Sequence, residues 1–248
     1  MKKTNCLARK FFLFSVLILL ISSCARAPLP PPLPPPPPLP RADVVHTVGP
    51  GETFWRIAKM YDVPVAAIMQ ANRITNPQDL KMGKHLTIPQ AAKLKPVVTL
   101  YPSKKWKYII IHHSATEVGS SLAFHHMHLK KGWDKGVGYH FVIDNASNEK
   151  QDGEIEATPR WIKQLDGAHC KASDMNTRAI GICLVGNFDN EHVSRKQMDS
   201  LVYLVNLLRK SYKIPVKNII RHGHVEGAAT DCPGTIFPWK EFLEKLEQ

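Results

Sequence analysis

The sequence predicts an α/β protein, a mixed central sheet flanked by helices, preceded by a small βααβ module. Two observations predict it. Across residues 104–248, short apolar runs alternate with segments whose apolar residues recur at helical spacing, the pattern of helices layered on a sheet. Across Val45–Pro89, two helix-spaced segments lie between two strand-like runs. A proline-rich stretch separates both blocks from an apolar leader.

In the leader, Lys2, Lys3, Arg9 and Lys10 precede an eleven-residue apolar run, Phe11–Ile21. That run is shorter than the roughly 20 residues a bilayer span requires and suits the h-region of a signal peptide over residues 1–23. The following Ile21-Ser22-Ser23-Cys24 resembles a bacterial lipoprotein box. The resemblance implies cleavage before Cys24, lipidation of its sulfur and anchoring in the cell envelope, where several acyl chains hold a protein stably. Ala25 after the cysteine implies the periplasmic side of the outer membrane if the organism is Gram-negative. Pro28–Pro40 holds ten prolines in thirteen residues. Such a chain is a polyproline II rod of about 3.1 Å per residue, roughly 40 Å in all, so residues 24–43 read as a spacer off the membrane. The net charge of +12 falls to +8 without the four leader cations. No nucleic-acid motif accompanies the excess, so the expected partners are anionic wall polymers or lipid headgroups and not nucleic acid.

In the first folded block, His46-Thr47-Val48 reads as a strand, and Pro50-Gly51-Glu52-Thr53 as a turn ending in a helix N-cap. Phe54, Ile57, Ala58 and Tyr61 recur at helical spacing, Val63-Pro64 opens a second helix, Asn76-Pro77 turns the chain, and Leu86–Pro89 is a closing strand. A linker rich in Lys, Ala and Pro occupies residues 91–103. Beyond it come a strand at 106–111, a helix near 121–131, a strand at 139–144, a turn at 150–154 and a strand at 179–184. Arg195–Lys210 is an amphipathic helix with Met198, Leu201, Leu204, Val205 and Leu208 mostly on one side. Val216–Arg221 is a short strand and Trp239–Leu246 a final helix. About 145 residues suffice for one independent core.

Candidate chemistry sits at two places. The strand Tyr108–Ile111 ends at His112-His113, and a turn-rich loop sets His224 and Cys232 with seven residues between them. Two imidazoles and one thiol form a three-ligand zinc set whose fourth tetrahedral position stays open for water, the mark of a catalytic site. His113 and His222 are rivals for the imidazole positions. His125, His126 and His128 invite a second metal, but only His125 and His128 share a helix face.

Four segments, IIIHHSAT (109–116), GVGYHFVID (136–144), AIGICLVGNFD (179–189) and GHVEGAATDCPG (223–234), resemble in order the zinc amidases that cut N-acetylmuramoyl-L-alanine bonds. That family includes phage lysozyme-type amidases and animal peptidoglycan recognition proteins. The resemblance implies Zn²⁺ on His112, His224 and Cys232, with Tyr139 and Thr230 assisting at the oxyanion. It also places His169, His128, Trp133 and Asn176 in the substrate groove. Thr230 stands where phage enzymes carry a lysine, as in some active animal members. The strand 180–186 lacks the glutamate base of the cytoplasmic recycling amidases, so the phage-like subclass fits better. A non-catalytic peptidoglycan-binding or sensing lipoprotein is the alternative.

The first block, through VGPGETFWRIA (48–58), QAN (70–72) and LKMGKHLTIP (80–89), resembles a LysM module over residues 44–90. The resemblance implies binding of N-acetylglucosamine-containing glycans through Gly51, Glu52, Thr53, Asn76 and Leu80, which would concentrate the enzyme on the polymer by avidity. The protein is expected to act as a monomer, with Cys170 and Cys183 both free.

Overall fold

Local rules build the first block of the protein, seen here in a computed structural model that describes residues 40–247. The leader, Cys24 and all but the last residue of the proline run lie outside the described residues. β1 (Ala42–Thr47) and β2 (His85–Ala91) form an antiparallel pair. Between them run α1 (Phe54–Tyr61) and α2 (Val65–Ala71). Thr53 caps α1 by accepting a hydrogen bond from Arg56 N at 3.2 Å, and Asp62 ends it in a left-handed conformation. Phe54, Ile57, Ile68, Leu86 and Ile88 close a core of their own.

Residues 92–101, read above as a linker, are tied down at both ends. The N–H groups of Ala92 and Lys95 donate to Tyr61 O and Met60 O, each at 2.9 Å. Arg56 Nη1 donates to Val97 O at 2.7 Å. Leu94 and Val97 pack on the first core, while Val98 and Tyr101 pack on the second. Trp161 Nε1 then donates to Thr99 O at 2.8 Å. The described residues, 40–247, accordingly belong to one compact unit.

The second block is a five-stranded mixed sheet in the order β5-β4-β6-β3-β7. Its strands are β3 (Tyr108–His113), β4 (Phe141–Asn145), β5 (Asp152–Ala157), β6 (Ala179–Leu184) and β7 (Ile219–Arg221). β3 lies between β6 and β7, parallel to both, and is buried along its length apart from Tyr108. A continuous apolar run with both faces covered is what a central parallel strand requires. Helices α3 (Ser121–Lys130), α6 (Arg195–Tyr212) and α7 (Trp239–Glu247) complete the layers, with the short α4 (Pro159–Ile162) and α5 (Met175–Arg178) in the connections. A reciprocal Ser194–Gln197 capping box starts α6, which packs on β5, β4 and α7.

Several expected boundaries shift. The first strand runs over 42–47 instead of 46–48, and β3 over 108–113 instead of 106–111, so that it takes in His112 and His113. Residues 216–218 form a 3₁₀ turn, leaving β7 three residues long. Tyr139 precedes β4 instead of opening it. Gly153 and Glu154 belong to β5, not to a turn. Among the described residues, no helix is long and apolar enough to cross a membrane.

Strand parity sets up the site. Successive side chains along a strand point to opposite faces. Ile109 and Ile111 join the main core on one face of β3, whereas Ile110 belongs to a smaller cluster on the other. His112 therefore follows Ile110, and His113 follows Ile111. In β7, Ile219 joins the main core and Ile220 packs against the cluster of Ile110, which puts His222, two residues on, with His112.

Candidate metal centre

His112, His222 and Cys232 offer three ligand atoms that all lie within 4.8 Å of one another. His112 Nδ1 and Cys232 Sγ are 3.7 Å apart. Donors about 2.1 Å (N) and 2.3 Å (S) from a shared tetrahedral ion would be separated by about 3.6 Å, so this pair fits one zinc ion. The two imidazoles leave the C-terminal ends of neighbouring parallel strands, where Ile111 pairs with Arg221, and their ring centroids are 4.5 Å apart.

The structure thus brings in His222 where His224 was expected. His224 is exposed. The reason is local geometry: His222–His224 is a single 3₁₀ turn, and at three residues per turn positions two apart face different ways. Gly223 clamps the turn onto the cysteine loop. Its N–H donates to Cys232 O at 2.8 Å, and a Cβ there would come within 2.2 Å of Thr230 O. His113, the other rival, turns to the opposite face, where its Nδ1 accepts from Phe188 N at 3.2 Å.

Behind His112 stands a chain of defined tautomers. His169 Nε2 faces Ala179 O at 3.3 Å. A carbonyl only accepts, so His169 carries its proton on Nε2 and presents Nδ1 as an acceptor. His112 Nε2 lies 3.1 Å from that Nδ1 and must donate to it. The lone pair of His112 Nδ1 is thereby left pointing toward Cys232. Burial, then the neighbouring imidazoles, holds the pKa of His112 well below its usual value, and burial with His140 does the same for His169. Both rings stay neutral, the form that binds a metal. His169 thus stands buried behind a candidate ligand, away from the groove where it was expected.

The slot for the His169 ring is made by two glycines. A Cβ on Gly181 of β6 would stand 2.4 Å from His169 Cδ2, and one on Gly167 would stand 2.3 Å from the same atom. Asn176, expected at the substrate, spends its Oδ1 on the N–H groups of His169 and Cys170, both at 2.8 Å. It holds the His169 loop.

Cys232 is buried, and its sulfur accepts from His113 N at 3.4 Å. Burial pushes its thiol up to about 12, so metal binding must displace a proton. Thr230 is exposed, and its Oγ1 accepts from Cys232 N at 3.2 Å. Tyr139 stands beside His112, with ring centroids 5.3 Å apart. Its backbone is fixed by Thr158 Oγ1 donating to Tyr139 O at 2.6 Å and by Gly138 N donating to His128 Nδ1 at 3.1 Å. Burial, with the thiols of Cys183 and Cys232 adding to it, holds the Tyr139 phenol well above its ordinary pKa, so it remains a proton donor. His128 is buried beneath Trp133, with ring centroids 4.3 Å apart, and Trp133 is 37% exposed. Of this pair, only the indole is exposed. Cys170 and Cys183 are free thiols.

In the first block, an open groove of about 460 Å³ is lined by Glu52, Thr53, Trp55 and Leu80 among others. Gly51 lies outside it, and a Cβ there would touch Ile162 at 3.1 Å. Asn76 caps a short 3₁₀ turn by accepting from Gln78 N at 3.0 Å.

Residues 102–235 match the model of the N-acetylmuramoyl-L-alanine amidase family, and residues 46–89 match the LysM domain. The endolysin of Escherichia phage T7 is 32% identical over 147 residues, covering 56% of this chain and 86% of its own. Peptidoglycan-recognition protein SC2 of Drosophila melanogaster is 29% identical, covering 54% and 71%. Among solved structures, the N-acetylmuramoyl-L-alanine amidase LysC from Clostridium intestinale URNW is 33% identical with a TM-score of 0.50, covering 62% of this chain and 97% of its own.

Proposed function

The chain belongs to the N-acetylmuramoyl-L-alanine amidase family, and we propose that it hydrolyses the amide between N-acetylmuramic acid and L-alanine of peptidoglycan with zinc held by His112, His222 and Cys232. The observation that carries this reading is the convergence of two imidazoles and one thiol on a single point. Imidazole and thiolate donors suit zinc, and three protein ligands leave a position for substrate chemistry. When bound, zinc supplies Lewis acidity toward the amide carbonyl and acidifies water toward neutral pH.

The chain's own groups do the rest. His169 keeps His112 in its ligating tautomer. The Tyr139 phenol, protonated beside His112, donates to the carbonyl oxygen as that oxygen gains charge. Thr230 uses one lone pair on Cys232 N and retains its own proton for the same oxygen. The exposed face of Trp133 offers apolar surface to the sugar or the stem peptide. An intact donor set favours hydrolysis over binding alone. The LysM groove supports glycan recognition by Thr53 and Leu80 with the neighbouring Trp55, the Glu52 carboxylate being engaged inside.

Purified protein is expected to release free stem peptides from sacculi, as read by mass spectrometry, and a chelator to stop the release. Tyr139→Phe is expected to keep its metal and to slow release by about 10²–10³-fold. Sacculi left with every stem peptide attached would overturn the reading.

We propose further that the mature chain is anchored to the envelope by acyl chains on Cys24, as the Ile21–Cys24 box and the spacer behind it support. The full chain is expected in the membrane fraction and Cys24→Ala in the soluble one. A full chain found entirely soluble would refute the anchor.

A further inference from the structure

Between the glycan-binding block and the sheet lies a buried charge network that the amide chemistry does not use. Lys150, in the turn before β5, is buried, and its Nζ meets Glu156 Oε2 at 2.9 Å and Glu154 Oε1 at 3.2 Å. Glu52, of the glycan turn, faces the same ammonium from the first block: its carboxylate accepts from Gly49 N at 2.7 Å and pairs with His46 Nε2 at 2.8 Å. A Cβ on Gly49 would stand 3.1 Å from Glu156 Oε2, so backbone of the first block rests directly on a carboxylate of the second. Charges this deep persist only when paired. Lys150 is the cation that Glu52, Glu154 and Glu156 share, with the buried Asp144 facing it beside Glu156.

The network reaches both binding surfaces. Glu52 belongs to the wall of the glycan groove. Glu156 Oε1 accepts from Ser121 N at 2.6 Å, at the first residue of α3, and α3 carries His128 under Trp133. Around this node, Glu149 accepts from Thr47 Oγ1 and meets His85 Nε2 at 2.9 Å. The strap of residues 92–101 closes the seam along another line.

We infer that the LysM block is a fixed glycan subsite of the amidase rather than a tethered module, and that Lys150 is the positioning residue that holds it there. The substrate class this selects is polymeric glycan still carrying stem peptides, because only a strand can occupy the groove and the metal cleft of one body together. The inference rests on the amidase and glycan-binding readings above. A tether would raise local concentration smoothly with strand length, whereas a fixed subsite adds binding in one step, once a strand is long enough to reach it.

The test measures release of stem peptides by the full chain from a single-disaccharide muropeptide and from glycan strands of graded length. For wild type, KM is expected to drop sharply at one strand length. Lys150→Met is expected to raise KM on long strands by about tenfold, with kcat on strands and both constants on the muropeptide within twofold of wild type. Equal losses on both substrates, or none on strands, would overturn the inference. Wild-type calorimetry reads the docking without any variant: one cooperative transition is expected, and two separate transitions would overturn it. Wild-type protein inert on the muropeptide as well would instead bring down the amidase reading on which the inference stands.

Discussion

His222→Ala is expected to abolish zinc binding and amide hydrolysis together, while His224→Ala leaves both within twofold of wild type. The two histidines flank one glycine, so the contrast isolates geometry from composition. His222 continues β7 on the face that Ile220 shares with Ile110, and its ring lies 4.5 Å from that of His112. His224 points into solvent from the far side of the 3₁₀ turn. Removing an inner ligand leaves two protein donors where a catalytic zinc site takes three beside its open position. The loss should therefore exceed the roughly hundredfold that an outer-shell change can cost. Cys232→Ser is expected to act as His222→Ala does, because a hydroxyl cannot replace the thiolate. Metal content by plasma emission and stem-peptide release by mass spectrometry are the readouts. A His222→Ala protein that keeps stoichiometric zinc, or a His224→Ala protein that loses it, would return the ligand to the position the loop motif favours.

That pair of residues also marks where sequence reasoning succeeds and where it stops. The apolar run into His112 is legible because a buried parallel strand demands it, and its parity alone separates His112 from His113. The same test applied to Ile219-Ile220-Arg221-His222 selects His222: although Arg221 interrupts the apolar run, His222 stands two residues beyond Ile220 as His112 stands two beyond Ile110, and the two isoleucines share one face. A likeness of loop motifs favoured His224 instead, and a motif in a turn carries no facing information. The roles of His169 and Asn176 were hidden for a different reason. What fixes them is a carbonyl, Ala179 O, and two backbone N–H groups, and main-chain partners leave no mark in composition. The strap at 92–101 is another case, polar and proline-bearing to the eye yet ordered by hydrogen bonds to the backbone of α1. Helices α3 and α6 and strand β6, whose signals are periodicity, capping and apolar runs, lie where the sequence places them within a few residues.

The tautomer chain predicts the second large effect. His169→Ala removes the acceptor that His112 Nε2–H finds among the described residues and strands that N–H in a buried place. His112 can then shift its proton to Nδ1, which blocks the ligating lone pair, or swing its ring out of line. Either response is expected to weaken zinc by about 10–100-fold, the range for losing an outer-shell partner of a metal-bound imidazole. Gly181→Ala should do the same without touching any titrating group, since its methyl would stand 2.4 Å from His169 Cδ2 and expel the ring from its slot. His169→Gln separates orientation from packing. A glutamine carbonyl can accept from His112 Nε2 as the imidazole does, so part of the affinity is expected to return, whereas a residue needed only to fill space would show no preference for an acceptor. Competition against a chromophoric chelator gives the three dissociation constants directly. If His169→Ala holds zinc as tightly as wild type, the orientation of His112 comes from its strand alone and the chain from Ala179 O through His169 is incidental to the metal.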